Sequence, residues 1–300
     1  MPSTNSVRHP WDRLLAYGRM IKFSHSVFAL PFALAAAALA AREGFRWSQI
    51  GWIVVAMVGA RSAAMGFNRL ADQAIDARNP RTAGRELPRG VLGRSEVWGF
   101  VLASAALLVF AAWRLNPLCL ALSPVALAVV LGYSYTKRFT ALAHLALGLA
   151  LAIAPVGAWI AVRGRFDREP VVLGLAVLLW VAGFDVIYAC QDVDFDRREG
   201  LRSIPARLGV ARALVLSRAF HVGAVALLLL LYALAPLHPV YLLGVAGVAA
   251  LLGYEHSLVR ADDLSRVDLA FFTLNGWISL GYLAFTLLAL WLEPSLQRAV

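Results

Sequence analysis

Apolar runs long enough to cross a bilayer recur along almost the whole chain, and they leave few folds open. Windows of 18 or more largely apolar residues fall near 22–41, 48–68, 96–113, 117–135, 142–162, 171–191, 212–234, 239–259 and 268–291. A helix of that length spans the hydrocarbon core, about 30 Å thick. With 60% hydrophobic and 15% charged residues, the 300-residue chain lacks the polar surface that a soluble domain of its size needs. The expected fold is all-α: a polytopic membrane protein of about nine transmembrane helices in a single bundle. One membrane domain over residues 1–300 is expected, with residues 1–18 as an N-terminal arm. Arg8, Arg13 and Arg19 precede the first run, but no small-residue cleavage pattern follows, so no removable signal peptide is expected.

The net charge of +10 invites a nucleic-acid reading, but the placement of the charge argues against a nucleic-acid partner. With loops assigned alternately, one side holds about 20 of the 28 Lys and Arg. The other side holds Arg42, Arg46, Arg114, Arg163, Arg165, Arg168 and Arg298, while Arg61 falls within a helix. The positive-inside rule makes the arginine-rich side cytoplasmic, so the N-terminus is inside and nine spans leave the C-terminus outside. An integral protein of a bacterial plasma membrane is expected. Cys119 and Cys190 both lie in expected helices at no metal-binding spacing, and no disulfide framework is expected.

Two acidic stretches break the apolar pattern. In GFNRLADQAIDARNPRTAGRELPRG (66–90), Asn68, Asp72 and Asp76 recur at four-residue steps. On a helix they form one oxygen-rich stripe, drifting by about 40° per step. In DVIYACQDVDFDRREGLRSIPARLG (185–209), Asp185, Tyr188, Asp192 and Asp196 share a face by the same reasoning. Asn68, Asp72 and Asp76 align with Tyr188, Asp192 and Asp196 at an offset of 120 residues, compatible with an internal duplication. A carboxylate at the bilayer centre costs about 2.5–3.5 kcal/mol, so acids in such places mark function. Clustered carboxylates repel one another unless a cation intervenes, and Mg²⁺ favours carboxylate, phosphate and water oxygens. The loops that follow carry Arg81 and Arg85, then Arg202 and Arg207, whose forked donors suit phosphate. Tyr133 and Lys137 lie four apart near the end of the fourth run and are also within reach of a phosphate; the local alternative is a snorkelling lysine beside an interfacial aromatic. Paired acidic stripes beside basic loops point to divalent metal and a polyphosphate.

These residues resemble the UbiA superfamily of intramembrane prenyltransferases over nearly the whole chain. The family's NxxxDxxxD motif is met by Asn68, Asp72 and Asp76, its DxxxD by Asp192 and Asp196, and its YxxxK by Tyr133 and Lys137. The resemblance implies a central site opening to the cytoplasmic side and to lipid, where these acids hold two Mg²⁺ ions on a polyprenyl diphosphate. It also implies phosphate contacts from Arg81, Arg85, Tyr133, Lys137 and a basic residue near Arg19 or Lys22. Asp185 resembles the family's additional acid near the acceptor and is the candidate to orient that acceptor or take its ring proton.

NPRTAGRELPRG and YSYTKRFTALAH look like the 4-hydroxybenzoate polyprenyltransferase branch, and more narrowly like members that prenylate a naphthoate in the alternative menaquinone route. Either acceptor is a small aromatic carboxylic acid, which calls for a nearby cation; Arg138 is the candidate, with Tyr188 as a further acceptor contact. Branches acting on haem, chlorophyll-type or lipid acceptors fit less well. From other classes, a cation-coupled transporter would place its acids near the midplane at broken helices. A phosphatidyl-type alcohol phosphotransferase would need DGxxAR, absent from both motifs.

Overall fold

The computed structural model describes residues 10–21, 28–44 and 46–293, and within them the regular secondary structure is all helical, joined by turns and loops, with one isolated bridge between Arg260 and Asp263. Among the described residues, eight stretches are long and apolar enough to cross a membrane. They are α3 (Trp47–Arg78), α4 (Arg94–Leu115), α5 (Pro117–Thr136), α6 (Ala143–Arg163), α7 (Arg168–Ala189) with its continuation to Arg198, α10 (Val210–Leu234), α11 (Val240–Leu258), and Leu269–Trp291, which ends in α12 (Asn275–Trp291). Where a full span over 22–41 is expected, the described residues show the shorter apolar helix α2 (Ala29–Ala40). Lys22 lies outside the described residues. The N-terminal arm contains α1 (Pro10–Met20), and two short helices, α8 (Val193–Arg198) and α9 (Ile204–Leu208), follow α7.

Local chemistry sets the ends that matter for the site. Hydropathy falls after residue 68, but nothing breaks the backbone there. The helix runs on for 32 residues until Pro80 forces the preceding Asn79 to an extended conformation (φ −88°, ψ 117°). Asn68, Asp72 and Asp76 therefore stand on one uninterrupted helix. Asn116 caps α5 by accepting from the Cys119 N–H at 2.9 Å, with Pro117 in the first turn. Gly164, at φ +69°, closes α6 in the left-handed conformation that glycine adopts freely.

The second acidic stretch departs from its expected single helix. After Ala189 the chain tightens into a 3-10 turn, Cys190–Asp192, before α8 begins. Each residue of a 3-10 turn advances about 20° more than in an α-helix. The turn adds twist between Tyr188 and Asp192, yet Arg81 still bonds both side chains.

Of the long spans α7 is the most enclosed, packed against α6 and α10. Helices approach closely where side chains are small. A methyl on Gly59 of α3 would sit 2.8 Å from the Leu108 backbone nitrogen and 2.9 Å from the Ser104 carbonyl of α4. On α2, Ala33, Ala36 and Ala37 are fully buried, and Phe32 stacks on Tyr282 of α12 with centroids 4.7 Å apart. Asn275 knits the C-terminal third together at a π-helical turn, Leu269–Leu274. Its amide nitrogen donates to the Ala270 and Phe271 carbonyls at 3.2 Å and lies 3.4 Å from Glu255 Oε1, while its oxygen accepts from the Trp180 indole at 2.7 Å. The outer faces present Val222, Leu243, Trp277 and Trp291, each exposed and apolar, as a surface meeting lipid must be.

The α3–α4 approach gives a test. Gly59→Leu is expected to destabilise the bundle by about 1–3 kcal/mol through overpacking against backbone that has no rotamer to yield. Thermal unfolding in detergent should show a lower midpoint than wild type, whereas Gly51→Leu, where nothing stands within 4 Å, should not.

Candidate active site

The site forms where the polar ends of α3, α5 and α7 meet the loops that follow them. Asp72 and Asp76 of α3 are 2% and 4% exposed, a depth at which an unpaired carboxylate is costly. Each is closed by a cation from another element. Lys137, just past the end of α5, donates to Asp72 at 2.6 Å, and Asn68 donates to the same oxygen at 3.2 Å. Arg138 reaches the other Asp72 oxygen at 3.3 Å and also donates to the Ala71 carbonyl. One Arg85 nitrogen bonds both oxygens of Asp76 at 2.8 Å. The Thr82 hydroxyl donates to the Asp76 carbonyl at 3.0 Å and ties the following loop to the helix end.

Across from α3, Asp192 is gripped by Arg81 in a forked pair, with Nε at 3.0 Å from one oxygen and a second nitrogen on the other. Asn79 donates to Asp192 at 3.1 Å, and Arg81 also donates to the Tyr188 hydroxyl at 2.8 Å. Burial pulls the Arg81 pKa down. The hydrogen bonds to Asp192, and then the charges of Tyr188, Asp192 and Asp76, outweigh it and hold the pKa above the ordinary arginine value. Asp196 lies within electrostatic reach of Asp192 and Lys137. The two acidic stretches, 120 residues apart in sequence, therefore face each other across Arg81 and Lys137.

Deeper along α7, Asp185 meets His144 of α6 at 2.7 Å. The Ile204 N–H donates to His144 Nε2 at 3.3 Å, so that nitrogen is the acceptor and Nδ1 carries the proton toward Asp185. Beyond this pair lies an apolar cavity of about 510 Å³ between α3, α4, α5, α6 and α7, walled by residues such as Ile53, Met57, Leu108, Leu122, Leu151 and Leu178. Tyr133 and Arg61 stand at its polar end.

Other residues singled out in the sequence take different places. Arg19 sits on α1 at 3.6 Å from Glu86, largely exposed. Arg138, the candidate for an acceptor carboxylate, is engaged with Asp72 and Ala71. Arg202 and Arg207 are not brought to the acids and line a separate pocket. Among the described residues no group of three or more His, Cys, Asp or Glu closes into a metal cage. The donor set is nonetheless all oxygen, and Mg²⁺ commonly takes only one or two protein carboxylates along with substrate phosphates. The residues fit that ion.

The profile of the UbiA prenyltransferase family matches residues 29–292. The chain belongs to this family. The 4-hydroxybenzoate octaprenyltransferase of Aeromonas hydrophila is 32% identical over 223 residues, which cover 74% of this chain and 77% of that protein. The apo structure of a UbiA homologue from Aeropyrum pernix K1 superposes with a TM-score of 0.81 at 37% identity, over 88% of this chain and 97% of that one. A UbiA homologue from Archaeoglobus fulgidus, solved bound to GPP and Mg²⁺, shares the fold with a TM-score of 0.75 at 19% identity, over 92% of this chain and 100% of that one. This family member is thus an integral membrane prenyltransferase.

Three residues of this UbiA protein escaped the sequence reading. His144 looked like any polar residue in an apolar helix, and its role depends on a helix 41 residues away. Arg69, beside Asn68, is 4% exposed with no hydrogen-bond partner for its Nε among the described residues. The Arg61 Nε is likewise without a partner there. A signal for Arg61 did exist: it precedes Asn68 by seven residues and Asp72 by 11, so all three share a helical face.

The ion pair on Asp76 is testable without turnover. Arg85→Ala leaves a buried carboxylate without its cation, and a loss of about 3 kcal/mol is expected in metal-free protein. Thermal unfolding with and without Mg²⁺ plus inorganic diphosphate should show the deficit shrinking when the metal is supplied.

Proposed function

We propose that this prenyltransferase moves a polyprenyl group from a polyprenyl diphosphate to a ring carbon of a carboxylated aromatic acceptor, 4-hydroxybenzoate or 1,4-dihydroxy-6-naphthoate, in quinone biosynthesis. One observation carries the reading: two carboxylate-bearing helix ends face each other across arginines and a lysine, directly above an apolar cavity. The relatives' names for hydroxybenzoate enzymes point the same way.

Asn68, Asp72, Asp76, Asp192 and Asp196 would hold two Mg²⁺ ions. When bound, Mg²⁺ neutralises diphosphate charge and makes it a better leaving group. Arg81, Arg85 and Lys137 then turn part of their hydrogen bonding from aspartate to phosphate oxygens, stabilising the charge that develops there. The allylic C–O bond breaks and its electron pair leaves with the diphosphate. The apolar walls keep water from the resulting cation and receive the prenyl tail. A ring carbon of the acceptor supplies the electron pair for the new C–C bond. Asp185, held by the His144 Nδ1 proton, accepts the proton that the ring loses. For the acceptor's carboxylate, Arg61 is the better-placed cation, since its guanidinium stands at the cavity's polar end near Tyr133 while Arg138 is committed to Asp72. The arginine bias supports a cytoplasmic site in a bacterial plasma membrane, with the C-terminus outside.

The test is a transferase assay on purified protein with Mg²⁺, a polyprenyl diphosphate and each acid in parallel, with products identified by mass. One prenylated acid is expected. Asp72→Ala and Asp192→Ala should lose detectable turnover while remaining folded, and Arg81→Gln should fall about 10–100-fold. Near-normal turnover in either alanine variant would sink the metal assignment, and diphosphate release without a prenylated acid would sink the acceptor assignment.

A further inference from the structure

Arg202 and Arg207 remain unexplained by the reaction. With Arg197 they line a pocket of about 430 Å³ that shares no residue with the apolar cavity. It lies between the loop that joins α5 to α6, through Phe139, Thr140 and Ala141, and the segment around α9. Two of the three guanidinium groups are fixed in place by backbone. Arg197 Nε donates to the Ala206 carbonyl at 3.0 Å, and an Arg202 terminal nitrogen donates to the Phe139 carbonyl at 2.8 Å. Each keeps further N–H donors after those bonds are made. No acidic side chain is among the described residues lining the pocket, and Arg207 has no ion-pair partner among the described residues. Three guanidinium groups without an ion-pair partner among the described residues, gathered in a preformed recess, call for an anion.

The rim says which kind of anion. Phe139 lines the recess and is 60% exposed, and Leu142 and Leu208, next in the chain to the lining residues Ala141 and Arg207, are 57% and 41% exposed. Both loops join the motif-side ends of membrane spans, so the recess lies at the level where headgroups meet acyl chains. A soluble anion has no use for an apolar rim, whereas a phospholipid presents a phosphate and two hydrocarbon tails together. We propose that Arg197, Arg202 and Arg207 bind the headgroup phosphate of an anionic phospholipid, whose acyl chains lie against Phe139, Leu142 and Leu208.

The pocket is mechanically joined to the candidate active site. The Arg202 backbone N–H donates to the Lys137 carbonyl at 2.7 Å, so one face of this short loop meets the lipid headgroup and the other holds Asp72 through the Lys137 ammonium. A bound headgroup braces the loop that positions Lys137.

The test does not depend on turnover or on the acceptor. Full-length protein is exchanged into detergent carrying phosphatidylglycerol or phosphatidylcholine with identical acyl chains, and lipid retention and unfolding temperature are measured by native mass spectrometry and thermal scanning. Wild type is expected to retain phosphatidylglycerol over phosphatidylcholine and to unfold at a higher temperature with it. Arg207→Gln should weaken that preference about fivefold, the loss of one interfacial charge, and Arg207→Lys should restore most of it. Arg89→Gln, an equal loss of charge in the 79–93 loop, should leave the preference intact. Equal preference in wild type and Arg207→Gln, or an equal loss in Arg89→Gln, overturns the proposal. So does full stabilisation of lipid-free wild type by millimolar inorganic phosphate or diphosphate that Arg207→Gln abolishes, since the pocket would then serve a soluble anion.

Discussion

Charge compensation at the buried end of an apolar bundle is the constraint on which the arrangement rests. Asp72 and Asp76 are nearly inaccessible to solvent, and neither is held by a neighbour on its own face alone. Their cations come from past the end of α5 and from the loop after α3, and Asp192 draws its cation from that same loop. Each pair therefore joins segments that packing alone would leave free to slide. The pairs also resolve a mismatch between folding and catalysis. A site meant for metal and diphosphate must carry excess carboxylate and excess guanidinium side by side, and without substrate these neutralise each other. In the proposed reaction the same charges change partners while the total stays nearly balanced, which limits the cost of switching between free and loaded states.

Much of this was legible because the signals are local. Bilayer-length apolar runs report individual helices, and the four-residue spacing of Asn68, Asp72 and Asp76 reports one face of one helix. What the sequence could not disclose is relational. That Arg81 reaches Asp192, that Lys137 reaches Asp72 and that Asp185 pairs with His144 depend on how helices dock, and nothing in the spacing of either partner encodes it. Arg138 shows the same limit, since adjacency to Lys137 suggested an acceptor contact and docking turned it to the first acidic stretch. The register break at Cys190–Asp192 is a different failure. No proline or glycine marks it, so residues 185–196 read as one unbroken α-helix. The second helical window erred the other way, because the fall in hydropathy after residue 68 ended the apolar run while the α-helix itself continued to Arg78.

The two halves of the bundle handle polarity differently. Around α3 to α6 the polar groups face an apolar cavity and end in charges. In the C-terminal third they turn inward on themselves: Trp180, Glu255 and Asn275 meet in a closed knot, and Tyr241 and Tyr282 lie with their hydroxyls 3.3 Å apart. Apart from Glu255 Oε2, which has no hydrogen-bond partner among the described residues, these groups find their partners within the protein and specify how α7, α11 and α12 seat against one another.

The position of Asn275 has a consequence for motion. It ties α7 to the C-terminal segment through Trp180 and at the same time occupies the carbonyls of Ala270 and Phe271 in the π-helical turn, so rotating or sliding α7 breaks a buried hydrogen bond in a dry environment. Asp185 rides on that same helix. The bond to Trp180, five residues before Asp185, thereby helps fix the rotation at which that acid meets His144 of α6.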